Sequence, residues 1–264
     1  MKILLTNDDG YKAEGINILA DELKAFGHEV WVVATSRERS ANSQKITMHR
    51  EVHFSEIKEN WYSCSGTPAD CMLFSLKEVL DEKPDLVVSG INHGYNLSTD
   101  IIYSGTVGAA KEAAIQGVKS ISISAGSGKQ RGTHKFKEAA RFLISNLEFL
   151  YSFSDCKSFL NINYPFNCSG KWEAGGVGFI EYFDAIQKID NPVGYGKDKE
   201  DFKLNELSTD YVIVGGSPSL KESESRSDFE ITRDGNISIT PLQVLPGIDN
   251  IKLDLLKNYS SEIK

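Results

Sequence analysis

Positive charge is in short supply. The chain has 29 Lys and Arg against 37 Asp and Glu, a formal net charge of −8. That balance argues against a nucleic-acid duplex or a membrane surface as the main partner. Cysteine is scarce as well. Cys64, Cys71, Cys156 and Cys168 form no C-x-x-C pair, and no His cluster accompanies them, so a zinc site is not expected. No apolar run is long enough to span a bilayer. The glycines make no G-x-G-x-x-G fingerprint, which disfavours a nicotinamide or flavin dinucleotide. There is no internal repeat and no coiled-coil heptad. The chain enters a strand at once, without a charged and apolar leader, so a cytoplasmic setting with reduced thiols is expected.

What is present is enough for a large core: 264 residues, 40% of them hydrophobic. The first ten residues, MKILLTNDDG, organise the rest. Ile3 to Leu5 reads as a buried strand, and it runs into Asn7, two adjacent carboxylates and Gly10. Ile16, Leu19, Ala20, Leu23 and Phe26 then recur at helical spacing, with Gly27 as the stop. Val30 to Ala34 is a second buried strand, which completes a βαβ unit. A polar loop, Thr35 to Gln44, leaves its carboxyl end. Ile46 to Phe54 alternates as a half-exposed strand, with Trp61 to Cys64 as its partner.

Thr67-Pro-Ala-Asp70 predicts a capped helix start, and Pro84 its stop. Leu86 to Gly90 is a further strand, followed by a connection to Thr106 that is long for a βα unit. A helix is expected from Thr106 to Gln116 and a strand from Ser120 to Ser124. Gly126 to Gly132 reads as a cationic turn, Phe136 to Leu150 as one amphipathic helix and Phe159 to Asn163 as a strand. Alternating β and α elements predict an α/β fold, a mostly parallel sheet covered on both faces.

After Pro165 the periodicity is lost. We expect a core over residues 1–164 and a smaller C-terminal region over 165–264. In it, Tyr211 to Val214 reads as a strand and Ser217 to Asp228 as a mobile polar stretch. A β-hairpin over about 229–240 would turn at Asp234-Gly235, and a tail helix would span about 248–259.

Three strand ends converge on one crevice. The first brings Asp8 and Asp9, the second the loop with Ser40, and the strand ending at Gly90 brings Asn92. Two carboxylates, a hydroxyl and an amide suit a hard divalent cation rather than zinc or copper. Ser104-Gly105-Thr106 opens a helix, where free N–H groups and the dipole favour an anion. A metal beside a phosphate cradle suggests metal-assisted phosphoester hydrolysis by an activated water. Each piece also has a structural reading. Asp-Asp-Gly can be a plain turn, Ser40 a solvated loop residue, and Asn92 a brace for its own loop. Ser-Gly-Thr can be only a cap, and His93 a merely exposed loop residue.

Several segments together are specific: Thr6-Asn-Asp-Asp-Gly10, Arg39-Ser-Ala41, Gly66-Thr-Pro-Ala-Asp-Cys71, Ser89-Gly-Ile-Asn92, Gly94 with Asn96, Asp100-Ile-Ile-Tyr-Ser-Gly-Thr-Val107 and Ile239-Thr-Pro-Leu242. On these the chain resembles the SurE survival-protein family of metal-dependent nucleotide phosphatases. The resemblance implies a Rossmann-like core and a C-terminal part used for oligomerisation, as a homodimer or homotetramer. It implies hydrolysis of nucleoside 5′- and 3′-monophosphates with one divalent cation per subunit, Mg²⁺ or Mn²⁺; short polyphosphate also fits. The family's metal ligands match Asp8, Asp9, Ser40 and Asn92, and its phosphate loop matches Asn96 and Ser104 to Thr106. Asp8 and Asp9 are then also the catalytic pair. The chain departs from the family at Thr35, where proline is usual, and at Ser98, where glycine is usual. Competing readings are a nucleotide sensor without turnover, a sugar-nucleotide transferase and a covalent aspartyl-phosphate phosphatase.

Overall fold

A computed structural model describes residues 1–128, 135–183, 186–189, 210–213, 217–223, 225–247 and 252. The elements in order are β1 (Lys2–Thr6), α1 (Glu14–Ala25), β2 (Glu29–Thr35), β3 (Phe54–Lys58), β4 (Trp61–Cys64), α2 (Pro68–Phe74), β5 (Leu86–His93), α3 (Gly105–Ile115), β6 (Ser120–Ala125), α4 (Phe136–Ser145), α5 (Leu147–Ser152) and β7 (Ser158–Tyr164). They continue with β8 (Trp172–Ala174), β9 (Phe179–Phe183), β10 (Ile186–Ile189), β11 (Asp210–Ile213), β12 (Ser217–Glu222), α6 (Asp228–Arg233) and β13 (Ile237–Gln243).

Nine strands form one sheet in the order β3-β4-β2-β1-β5-β6-β7-β13-β8. The six from β4 to β7 are parallel, while β3 and β13 run antiparallel to their inner neighbours. From β1 the chain winds outward through β2 to β4, then returns to the other side of β1 for β5, β6 and β7. The switch point therefore lies between β1 and β5, where their carboxyl ends open a crevice. Asp8 and Asn92 stand at those two ends.

Strand alternation sorts the core. Ile3 and Leu5 pack with Ile16, Leu19, Phe136 and Leu143 under α1 and α4. Leu4, Val33 and Val87 pack on the other face with Cys71, Met72 and Ala109 of α2 and α3. Both faces are covered, as continuous apolar strands require.

The expected α/β fold and most of its elements are present, with four corrections. The half-exposed outer strand is Phe54–Lys58, not 46–54; residues 46–53 are irregular. The single helix over 136–150 is two, because the Asn146 side-chain amide takes the Phe142 carbonyl (2.8 Å) and ends α4. The polar stretch after Ser217 is ordered as β12, antiparallel to β9.

The expected hairpin over 229–240 is a helix followed by a strand. Ser227 and Glu230 form a capping box that starts α6. Gly235, at φ +82°, is then a helix stop: its N–H bonds to Thr232 O and that of Asn236 to Ile231 O. β13 pairs with β7 and β8 instead of folding back on 229–233. The tail helix expected over 248–259 lies outside the described residues apart from Lys252, and the 126–132 turn is described only to Gly128.

One close approach fixes α1 against β5. A Cβ on Gly15 would come within 2.1 Å of the Ile91 carbonyl oxygen. Helix propensity alone favours Gly15→Ala by about 1 kcal/mol. The clash is with backbone, which cannot swing away. Gly15→Ala should therefore lower the melting temperature by at least about 2 °C, a net cost of about 1–3 kcal/mol. A thermal melt followed by circular dichroism tests this; an unchanged or raised midpoint contradicts the packing.

Candidate metal and phosphate site

The turn after β1 is built around Asn7. Its Nδ2 donates to Gly10 O (2.9 Å), and its Oδ1 accepts from Gly10 N (3.2 Å). Gly10 sits at φ +100°, where a side chain would be strained. Tyr11 N donates to Thr35 O (2.8 Å) and Arg39 N to Asp8 O (2.7 Å). The acid turn is thus stapled to the loop after β2, which carries Ser40.

Asp8 is only 5% exposed. Its Oδ1 accepts the Thr106 hydroxyl at 2.5 Å. Gly105 lies against it as well, since a Cβ there would be 2.9 Å from Asp8 Oδ2. Asp9 accepts the backbone N–H of His93 (3.1 Å), and its Oδ1 lies 3.9 Å from His93 Nδ1. Burial raises the Asp8 pKa from 3.8 to about 6; the Asp9 charge adds to this and the Thr106 hydrogen bond opposes it. Burial also raises Asp9 to about 6, opposed by the His93 N–H and aided by Glu38. His93 is shifted the other way, downward, chiefly by burial.

Ser40 is exposed and donates to Glu38 Oε1 (2.8 Å). Its loop is strapped over α3. Ser43 N donates to Tyr103 O (2.9 Å), Ser43 Oγ to Ile102 O (2.7 Å), and Gln44 Nε2 to the buried Glu112 (2.8 Å). Asn92 follows a bulge in β5, where the register with β6 shifts between Ser89 and Asn92. The bulge re-aims the strand end. Asn92 Nδ2 braces Gly94 O (3.0 Å), a bond that does not use its side-chain oxygen. The structural reading of Asn92 as a brace for its own loop is thus borne out.

Asn96 is the most constrained residue of the connecting loop. Its backbone N donates to Asn163 Oδ1 (2.8 Å), and its carbonyl accepts from Asn161 Nδ2 (2.9 Å) and Asn163 Nδ2 (3.0 Å). Its own Nδ2 reaches Ser124 Oγ (2.8 Å). Ser104 caps α3, its Oγ accepting from Val107 N (3.1 Å).

Asp8, Asp9, Ser40, Asn92, Asn96 and Ser104 line one open cleft of about 610 Å³. Gly105 and Thr106 do not line it. They stand behind Asp8 and hold it. Lys12, Glu38 and Asp100 also line the cleft; sequence reasoning gave them no part. Asp100 accepts the Tyr182 hydroxyl (2.5 Å) from β9, a contact with no local signal. Asn161 and Asn163 were missed too, although two amides at period two in an otherwise apolar strand mark a polar stripe.

The donor set fits a hard cation. Four carboxylates, Asp8, Asp9, Glu38 and Asp100, face Lys12 as the only Lys or Arg among the described lining residues. The acid pair is desolvated, and its ion-pair contact among the described residues is His93 Nδ1, 3.9 Å from Asp9 Oδ1. Among the described residues no three His, Cys, Asp or Glu side chains cluster to hold a metal. A cation held here would need neutral oxygens beside the carboxylates, an oxygen-rich donor set of the hard-cation kind. Among the described residues no helix is long and apolar enough to cross a membrane.

A carboxyl whose folded pKa lies above its unfolded value binds its proton more tightly when folded. Its charged form then weakens the fold, a penalty that is absent below about pH 4 and complete above about pH 6. In chelator, Asp8→Asn should therefore raise the melting temperature at pH 7.5 relative to wild type and have little effect at pH 4.5. The gain is on the order of 2 kcal/mol. Adding Mn²⁺ should raise the wild-type midpoint and leave the variant's unmoved. Destabilisation of Asp8→Asn in chelator at pH 7.5 contradicts the assignment.

The family model described as Survival protein SurE matches residues 3–181. The protein named 5'-nucleotidase SurE of Trichodesmium erythraeum (strain IMS101) is 39% identical over 258 residues, 92% of this chain and 91% of its own. The protein of the same name from Desulforudis audaxviator (strain MP104C) is 35% identical over 273 residues, 100% of this chain and 99% of its own. The crystal structure of the SurE protein from Aquifex aeolicus superposes with a TM-score of 0.76 at 29% identity, over 99% of this chain and all of that one. With the acid pair at the switch point and the capped α3 beside it, these matches place the chain in the SurE family.

Proposed function

We propose that the protein is a metal-dependent 5'-nucleotidase, a phosphomonoesterase that hydrolyses nucleoside 5′- and 3′-monophosphates to nucleoside and phosphate. The observation that carries this reading is the cleft itself: two adjacent, desolvated carboxylates facing the N-terminus of α3 across one open space. The relatives named 5'-nucleotidase SurE support the substrate class. Asp8, Asp9, Ser40 and Asn92 would hold one divalent cation, Mg²⁺ or Mn²⁺. When bound, such an ion polarises a phosphoryl oxygen, acidifies water and offsets the negative charge of the site.

The chain's own groups do the rest. Ser104 Oγ already accepts from Val107 N, so its hydroxyl proton is available to a phosphoryl oxygen. The first N–H groups of α3 have no intrahelical acceptor; that of Thr106 serves Asp8, so Ser104 is the residue of this motif left to meet a phosphoryl oxygen. Asn96 adds an amide donor from a backbone clamped by Asn161 and Asn163. Asp9 or Asp8 orients the attacking water and takes its proton. Thr106 and Gly105 act through Asp8, by fixing its carboxylate.

We also propose that residues beyond 164 build the contacts of a homodimer or homotetramer. Exposed Phe179, Tyr182, Phe183 and Ile186 support this, since such a row favours association. A single monomer mass by light scattering at micromolar concentration removes the idea.

The main test is phosphate release from AMP with Mn²⁺ and after chelation. Release should depend on the metal. Asp9→Asn should lower turnover by at least about 10²-fold, the scale of losing one preorganised electrostatic group, and leave the fold intact. AMP binding without release would make the protein a sensor. Near-normal turnover in Asp9→Asn would remove the role given to the acid pair, and short polyphosphate in the same panel would widen the substrate range.

A further inference from the structure

A second cavity, of about 750 Å³, adjoins the acid cleft. The two share one wall residue, Tyr95. Along the loop the chain alternates between them: Asn96 lines the acid cleft and Leu97 the second cavity. The second cavity has a different chemistry. Its lining includes Tyr95, Phe166 and Phe229 together with Arg233, and no described lining residue is a carboxylate. Its volume falls within the ~300–1,000 Å³ of small-molecule sites.

The aromatic walls are held in place. Tyr95 Oη accepts the Phe166 backbone N–H (3.0 Å). The Tyr95 ring lies so close over Gly126 that a Cβ there would come within 1.9 Å of Oη. Phe166 rests on Gly128 in the same way, with 2.6 Å from a built Cβ to Cζ. Phe229 sits on α6, and α6 is tied to the same loop. Asp228, fully buried, accepts from Ser98 N (2.9 Å) and Ser98 Oγ (2.6 Å). Ser98 holds φ +53°, a conformation uncommon outside glycine. Residues 95–98 are therefore one piece that fixes both cavities relative to each other.

We propose that this aromatic cavity seats the nucleobase of the substrate, with the phosphate in the acid cleft across Tyr95. The proposal rests on the nucleotidase reading and makes Phe166 and Phe229 specificity-determining residues. A base has two π-faces and hydrogen-bonding edges. Aromatic walls suit the faces, and the guanidinium of Arg233, with N–H groups beyond the one turned to Asp234, suits the edges. An aromatic seat without a described carboxylate, beside an acidic cleft, separates the two halves of a nucleoside monophosphate by chemistry. A simple phosphomonoester would use only one of them.

The experiment compares AMP with ribose 5-phosphate, which has the phosphate and sugar but no base, under Mn²⁺ with the full chain. In Phe229→Leu and Phe166→Leu, KM for AMP should rise about tenfold, the scale of losing one base–aromatic stack. Both kcat and the kinetics on ribose 5-phosphate should stay near wild type. Equal losses on the two substrates would assign these rings to packing, and no loss on either would put the base elsewhere; each result overturns the proposal. Adenosine titrated into wild type and the two variants by calorimetry gives a readout that needs no turnover. Binding to wild type that weakens in the variants supports the seat even if no phosphate is released, and unchanged binding removes it. Absence of release from both AMP and ribose 5-phosphate in wild type would instead sink the nucleotidase reading.

Discussion

Two like charges cannot be buried side by side unless something compensates them. In this protein that constraint falls on Asp8 and Asp9, and much of the surrounding architecture answers it. The Thr106 hydroxyl serves Asp8, the His93 backbone N–H serves Asp9, and Asn7 locks the turn between them and Gly10. These neutral donors are not enough. Both carboxyls remain pushed up to about 6. The remaining demand for positive charge is what suits the pair to a cation, and it leaves a local weakness in the fold. Sites of this kind trade stability for function.

The sheet supplies the place. A parallel sheet that reverses its winding leaves a crevice between the two strands at the reversal, and here those strands are β1 and β5. The bulge in β5 carries Asn92 to it, and the strap over α3 brings the Ser40 loop. The long connection from β5 to α3 is no free loop. It is pinned at Asn96 by the Asn161 and Asn163 amides, at Ser98 by Asp228, and at Asp100 by Tyr182. Two of these anchors come from beyond residue 165, so the C-terminal region takes part in shaping the cleft.

Membership of the SurE family agrees with this physics, but the site is understood residue by residue. Serine and threonine in Ser104-Gly105-Thr106 have different tasks. Ser104 faces the cleft and Thr106 faces Asp8 from behind. Gly105 is there because Asp8 leaves no space for a side chain. Of a motif that reads as one phosphate cradle, one part faces the cleft and the other supports Asp8.

The sequence by itself determined the parallel core, because buried strands, caps and helix stops are local signals: Ile3 to Leu5, the Thr67 to Asp70 capping box and Gly27 all act within a few residues. It also brought forward Asp8, Asp9 and Asn92, which the fold gathers at one cleft, since acids and amides at the ends of apolar runs stand out. It misjudged Phe229 to Asn236. Asp-Gly stops a helix as readily as it turns a hairpin, and the choice fell to the Ser227 capping box and to the pairing of β13 with the distant β7. Only the tertiary structure decided that Thr106 supports Asp8, that Tyr182, Asn161 and Asp228 hold the loop, and that an aromatic cavity lies beside the acid one. The hydrogen bonds among these join residues 65 to 130 positions apart. A partner that far along the chain leaves no periodicity or spacing for a sequence to show.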